Sequence, residues 1–359
     1  MMRQPFPAMA LVLLFLIGCS GIGPGTVPRD RFNYNQAIST SWKEQTLLNV
    51  VKLRYADMPL FVEVASVVSG YTLESSANIA GQVSSPDAVQ GDSLIIGGSG
   101  KYTDRPTITY SPITGKTFNE NFLTPIPPRA VLFLIQSGWP ADLIFPLTVR
   151  AINGLRSRVS AGVDQRAGDP EFYRIIALFR QIQTSGAVGM RILMEDENRQ
   201  STVLFFFRKN ITPEVKAAIK ELNGLLGLEP GSDEITVTYG LIQGSDREIA
   251  VLTNSMLDIM INLATQIEVP FEHVAAGYTV PSLAPPRDDE AAVARLIDIQ
   301  SGPEQPEAPF VAVEYEDHWF WIDKGDFKSK RTFAVLMILM SLSETGGREG
   351  LPLVTIPAG

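Results

Sequence analysis

The chain has one cysteine, Cys19, among its 359 residues. It has no second thiol to form an internal disulfide, so whatever it folds into must be held by packing. The sequence can supply that packing: 45% of it is apolar and 19% is charged, ample for a buried core and far from the make-up of a disordered chain. The length suggests two domains, or one large domain with an appendage. A net charge of −9 argues against duplex nucleic acid as a partner, since duplexes attract basic faces. Two histidines and one cysteine leave almost nothing for a zinc or iron site, and no cofactor is expected.

The position of the cysteine matters more than its number. Residues 1–18 read MMRQPFPAMALVLLFLIG: a short positive segment at Arg3, an apolar run from Ala8 to Ile17, then small residues. The run is too short to span a bilayer and has the layout of a secretory signal. Leu16-Ile17-Gly18-Cys19 also resembles the lipobox of bacterial lipoproteins. That resemblance implies cleavage before Cys19, diacylglycerol in thioether linkage on its sulfur, and acylation of its new amine. More than one acyl chain makes such an anchor stable. Ser20 rather than aspartate after the cysteine implies the outer membrane, by the sorting rule of enteric lipoproteins. The alternative is a plain secretory signal in which the cysteine is incidental.

Along the rest of the chain, periodicity predicts α+β architecture: mixed helices and mainly antiparallel strands, with a C-terminal β-meander followed by a buried helix. The expected divisions are a signal peptide at 1–18, a Gly/Pro tether at 19–30, a main α+β domain at 31–280, a Pro/acid-rich loop at 281–293 and the C-terminal meander plus helix at 294–359. Apolar residues at helical spacing predict a helix from about Asn35 to Tyr55. The segment around residues 60–76 and the PTITYSPIT segment read as strands, with a turn-rich stretch between them. Helices are expected at PPRAVLFLIQSGW, after Asp169 and after Thr212. A capping box of Ser245 and Glu248 predicts a helix running to about Ile267. Three strands, ARLIDIQSG, PFVAVEYED and HWFWIDK, are expected as a meander, with Glu316-Asp317 in the tight turn between the last two.

Several stretches imitate catalytic motifs. Gly91-Asp92-Ser93-Leu94 matches the nucleophile block of a serine esterase family, but neither histidine has the aspartate three residues before it that such a base needs. Tyr315 precedes His318 and Pro270 precedes His273 at that spacing. A serine without a positioned base is a weak nucleophile, and a turn is the better reading of Ser93. Gly100-Lys101 imitates a phosphate loop, yet Ile95 stands where its first glycine belongs and Tyr102 where Ser or Thr should be, so no nucleotide is expected. Glu314, Glu316, Asp317 and Asp323 surround His318 in sequence and read as solvated charges. Trp319 and Trp321 share one face of their strand, either as part of the core or as a partner surface; Phe320 and Ile322 on the other face favour a buried central strand. The basic run Lys328-Ser329-Lys330-Arg331 sits at a helix start, where positive charge is unfavourable by roughly 0.3–1 kcal/mol per charge. Asp323 and Asp326 are the nearby acids that would offset it.

Three stretches, residues 32–67, 253–277 and 318–343, together resemble a group of predicted proteobacterial lipoproteins with no assigned activity. The resemblance implies lipidation and adds no catalytic residue. The expectation is therefore a lipoprotein anchored in the outer membrane through Cys19 and facing the periplasm. It would act as a non-enzymatic binding or scaffold component with an envelope protein as partner. A hydrolase of envelope polymers using paired carboxylates, and a carrier of lipid or a small ligand, are the alternatives.

Overall fold

The computed structural model describes residues 27–68, 71–82, 93–104, 107–158, 167–193, 202–207, 211–230, 234–282 and 295–343. The signal segment, Cys19, residues 19–26 of the tether, residues 283–293 of the Pro/acid-rich loop and the C-terminal LPLVTIP lie outside them. The architecture is α+β. The chain divides into two units. The first comprises 1–41, 62–112 and 350–359, and the second 42–61 and 113–349, so the expected 31–280 domain is split by an insertion.

Helix α1, Val27–Arg54, starts eight residues earlier than its periodicity suggests and takes up the last tether positions, 27–30. The difference is physical. Residues 31–41 are mostly exposed, Phe32 among them, so no buried apolar stripe marks the start of the helix. From Thr46 onward the helix enters the second unit's core through Leu47, Val50 and Val51. It ends with Ala56 in the left-handed region at φ 58°, a conformation usually left to glycine. Asn49 then holds the departing chain. Its amide donates to the Leu60 carbonyl at 2.8 Å and its oxygen accepts the Leu60 N–H at 3.0 Å.

The first unit is built from two antiparallel pairs. Strands β1 (Val62–Val68) and β4 (Thr107–Pro112) pair with a bulge at Ala65. Strands β2 (Tyr71–Gln82) and β3 (Ser93–Asp104) pair without interruption from Tyr71↔Asp104 to Gln82↔Ser93. The stretch read as turn-rich is thus largely β3. Its glycines and serines suggested turns, but in an exposed ribbon the ladder itself sets the backbone, and small residues are tolerated.

The second unit holds the core. It opens with a short helix α2 (Gly115–Phe118) and a π-helical turn, Asn119–Leu123. Phe122 there stacks on Phe61 at 4.0 Å. Then come α3 (Pro128–Gln136), α4 (Ala141–Thr148), β5 (Val149–Ile152), β6 (Leu155–Arg156), α5 (Pro170–Ser185), β7 (Val188–Leu193), β8 (Thr202–Phe207), α6 (Pro213–Leu226), β9 (Glu234–Tyr239) and β10 (Glu248–Thr253). The strands form one sheet in the order β6-β5-β10-β9-β8-β7, antiparallel except for β9 with β10. Helices α3 and α5 pack on it and α6 packs on α5. Thr212 caps α6 as expected. Asp169 stands at the N-cap of α5, but its side chain makes no capping bond there and accepts the Arg156 N–H.

The expected helix beginning at Ser245 is a correction. Glu248 starts the strand β10, and the capping box lies further along: Ser255 and Asp258 cap each other at the head of α7 (Met256–Ala264). Continuous apolar sequence reads alike for a buried strand and a helix, and here the position beside β5 and β9 decides. Helix α8 (Phe271–Ala275) follows. The final sheet is β11 (Gln300–Gly302), β12 (Pro309–Tyr315) and β13 (His318–Asp323), in the order β11-β13-β12. It is not a simple meander: β13 is central, and Phe320 and Ile322 on it are fully buried. Helix α9 (Phe327–Ser343) covers the core with Phe333, Leu336 and Met340. Among the described residues every fully buried apolar side chain belongs to the second unit.

Candidate functional site

The two histidines of the chain, 45 positions apart, meet in the second unit with ring centroids 4.5 Å apart and planes at 76°. Three local structures place them. The end of α1 supplies Tyr55 and Asp57. Pro270 starts α8, which carries Glu272 and His273. A two-residue turn, Glu316 at φ 50° and Asp317 at φ 58°, closes β12 on β13 and makes Tyr315 and His318 the last facing pair. Asp317 was expected there; positive φ at two residues with a Cβ is the cost of that turn.

His273 is buried, with 5% of its surface exposed. Burial, and the nearby His318, lower its pKa below the ordinary 6.5, against the pull of Glu272, Glu316 and Asp317. The Tyr55 hydroxyl lies 2.7 Å from its Nδ1. Burial raises the Tyr55 pKa far above its usual value, with Arg54 opposing, so the phenol keeps its proton while it pairs with Nδ1. Nε2 of His318 lies 3.0 Å from Oε1 of Glu272, and its Nδ1 lies 3.3 Å from the Glu316 carbonyl oxygen. Glu272 is held below the ordinary carboxylate range chiefly by its own backbone N–H, with help from His318 and against partial desolvation. Nearby, the Tyr315 hydroxyl donates to Oδ2 of Asp57 at 3.2 Å; burial and the Asp57 charge push the tyrosine up to about 12. Tyr55 also touches the Tyr315 and Phe320 rings, with centroids 5.2 and 6.0 Å away.

This arrangement fastens three chain segments more than it prepares a reaction. The bonds of both imidazoles go to the Tyr55 phenol, Glu272 and the Glu316 backbone and, among the described residues, not to a serine or threonine hydroxyl. Among the described residues no three His, Cys, Asp or Glu side chains converge as a metal site would require. A separate cleft in the same unit, lined by Arg150, Ser157, Arg158, Asn254, Asp258 and Asn262, has a volume of about 50 Å³. That is room for water; sites for small ligands are several times larger.

The other feature is the β2–β3 ribbon of the first unit. It is a two-stranded sheet, so among the described residues neither β2 nor β3 has a neighbour on its outer edge. Its register sorts the sequence by face. Positions 72, 74, 76, 78, 80 and 82 share one face with 103, 101, 99, 97, 95 and 93, which places Thr, Glu, Ser, Asn, Ala and Gln with Thr, Lys, Ser, Gly, Ile and Ser. On this face Lys101 Nζ lies 3.9 Å from Glu74, and the Ser76 and Ser99 hydroxyls are 2.7 Å apart. The opposite face groups Tyr71, Leu73, Ser75, Ala77, Ile79 and Gly81 with Asp104, Tyr102, Gly100, Gly98, Ile96 and Leu94. Apart from Asp104 at the last pair, it is apolar or small.

The motifs weighed in the sequence fall as follows. Ser93 is the first residue of β3, not a turn residue. Gly100-Lys101 lies within β3, where extended backbone cannot form a phosphate-cradling loop. Glu314, Glu316, Asp317 and Asp323 are exposed. Trp319 and Trp321 are half-buried, with Trp321 against Gly302 of the neighbouring strand. The missed partners are Tyr55 and Glu272, whose meeting with the histidines depends on tertiary folding. No described helix is long and apolar enough to cross a membrane. Comparison with known proteins returns no matching family model, no matching curated sequence and no matching solved structure.

Proposed function

We propose that this protein is a lipid-anchored component of the bacterial cell envelope, held through Cys19 at the periplasmic face of the outer membrane, that works by binding protein and not by turning over a substrate. The β2–β3 ribbon is the observation that carries the binding part. A two-stranded ribbon is marginal in water unless a further strand or a packed layer supports it. Among the described residues both outer edges are open, and the buried apolar side chains lie in the other unit. Open edges of this length are templates for pairing with another chain, and natural proteins usually blunt them. The anchor rests on the sequence: an apolar run that stops at the chain's one cysteine.

Labelled palmitate tests the anchor. The wild type should take up label, and Cys19→Ser should take up none and keep its signal segment. An unlabelled wild type would remove the anchor. For the binding part, the protein extracted in mild detergent should run as a complex. A variant with residues 71–104 replaced by a short Gly/Ser turn should run as a monomer. A wild type recovered as a monomer would defeat the binding reading.

A further inference from the structure

We infer that the ribbon's partner is the same ribbon in other copies of this chain, paired edge to edge into a closed β-barrel that spans a bilayer. The inference rests on the reading above for delivery of the chain to a membrane, and it names the partner that reading leaves open.

Four properties of β2 and β3 point this way. The first is length. Twelve paired positions run without a bulge from Tyr71↔Asp104 to Gln82↔Ser93. At about 3.4 Å per residue that is roughly 40 Å, and a membrane-spanning strand tilted by about 45° needs about 9–11 residues. The second is the sorting of faces. One is apolar or small by register from Leu73↔Tyr102 to Gly81↔Leu94, and the other holds the ribbon's Glu, Lys, Asn, Gln and Thr residues, with Ala80↔Ile95 as its one apolar pair. A barrel wall needs that alternation, with lipid outside and water inside. Tyr71 and Tyr102 lie toward one end of the apolar face, where interfacial aromatic residues sit, and Asp104 is at the last pair of the same end. The third is the edges. Lipid offers no hydrogen bonds, so a ribbon with two open edges can enter a bilayer only when both are paired, as closure of a ring accomplishes.

The fourth is charge complementarity between copies. The β2 edge carries Glu74 and the β3 edge carries Lys101 at the same level, as their direct pairing shows. When β3 of one copy lies beside β2 of the next, the pairing is antiparallel and brings Lys101 near the neighbour's Glu74. Long side chains reach directly opposite and diagonal positions. Glutamate and lysine then alternate around the inside of the ring. Each copy gives two strands, so the strand number is even, and the smallest barrels, of about eight strands, take four copies.

Adjacent positions on opposite faces supply the test. Full-length lipidated protein is extracted in mild detergent, weighed by native mass spectrometry, and reconstituted into vesicles of phosphatidylethanolamine and phosphatidylglycerol loaded with a self-quenching dye. The expected result is a species of about eight copies or more that releases dye, since about sixteen strands leave an aqueous channel where about eight are filled by their own side chains. Ala77→Arg, on the lipid face, should cut release at least about tenfold, while Asn78→Arg, on the lumen face, should preserve it. Thermal melting of the second unit, unchanged in both variants, separates lost insertion from lost folding. A monomer overturns the inference and the binding reading together and leaves only the palmitate anchor, whereas a complex with a different chain and no dye release overturns the inference and keeps the binding reading. Equal effects of the two arginines also overturn it. Dye release without palmitate on Cys19 keeps the barrel and removes the anchor.

Discussion

Tyr55 and His273 are 218 positions apart in sequence, and the tyrosine hydroxyl is hydrogen-bonded to Nδ1 of the imidazole across 2.7 Å. The bond joins the end of α1 to the short helix α8, and Thr279 and Arg54 reinforce the same junction. The Thr279 hydroxyl donates to the Arg54 carbonyl and the Arg54 guanidinium donates to the Val280 carbonyl, both at 2.7 Å. Tyr55→Phe keeps the ring contacts and removes only the hydroxyl, leaving the buried Nδ1 unpaired. The expected cost is about 1–3 kcal/mol in chemical denaturation. A loss near zero would mean that water replaces the hydroxyl.

The same pair predicts a pH dependence. The folded-state pKa of His273 lies below its ordinary 6.5, so the unfolded chain takes up its proton first as the solution is acidified. The contribution is complete above pH 6.5 and is lost progressively as pH falls through 6.5 toward the lowered folded value. Urea midpoints of the wild type should therefore drop between pH 7.5 and 5, and His273→Gln should flatten that slope. An equal slope in both proteins would assign the acid sensitivity to other groups.

How much of this was legible in the sequence differs by element. Thr212-Pro213 and Gly227 bracket α6, and Pro170 and Gly186 bracket α5, because caps and left-handed glycines are local signals. Apolar runs such as residues 248–253 carry no such mark, and their strand character comes from sheet neighbours. The Asn153-Gly154 turn between β5 and β6, with φ of 46° and 84°, was a readable hairpin signal hidden in an apolar stretch. Asn153 also donates to the Leu226 carbonyl and accepts from the Ala250 N–H, bonds no local pattern announces. The histidine cluster was invisible for the same reason. Its polar atoms come from residues 55, 272, 273, 316 and 318, and only the packed core sets their distances.

Asn49 makes a prediction about how the chain leaves α1. It is almost fully buried, and its amide satisfies both the N–H and the carbonyl of Leu60. Asn49→Ala leaves both backbone groups without their partner, a loss of about 2–4 kcal/mol by denaturant unfolding. Asn49→Asp keeps the acceptor but sets a buried carboxylate against the Leu60 carbonyl, so at neutral pH it should cost at least as much as alanine. An aspartate variant as stable as wild type at neutral pH would show that the donor bond to the Leu60 carbonyl contributes nothing.

The head of α9 tests how its basic run is tolerated. Asp326 accepts the backbone N–H of Ser329 at 3.0 Å and the Ser329 hydroxyl, the N-cap geometry that satisfies an otherwise orphaned donor. The same Ser329 oxygen accepts the Asp298 N–H at 2.8 Å, tying the helix start to the chain entering β11. Lys330 sends its ammonium to the Lys324 carbonyl at 2.8 Å, so part of the positive charge is taken up away from the helix axis. Burial alone would raise the Asp326 pKa; the Ser329 bonds, the Lys328 N–H and the Lys328 charge outweigh it and hold the value below the ordinary 3.8. Asp326→Ala should cost about 0.5–2 kcal/mol at pH 7. Because the folded value is the lower one, this contribution is present above pH 3.8 and fades as pH falls through it. The gap between wild type and Asp326→Ala in thermal unfolding should accordingly narrow below about pH 3. A gap unchanged by acid would mean that the cap acts through shape, with no part played by the carboxylate charge facing Lys328.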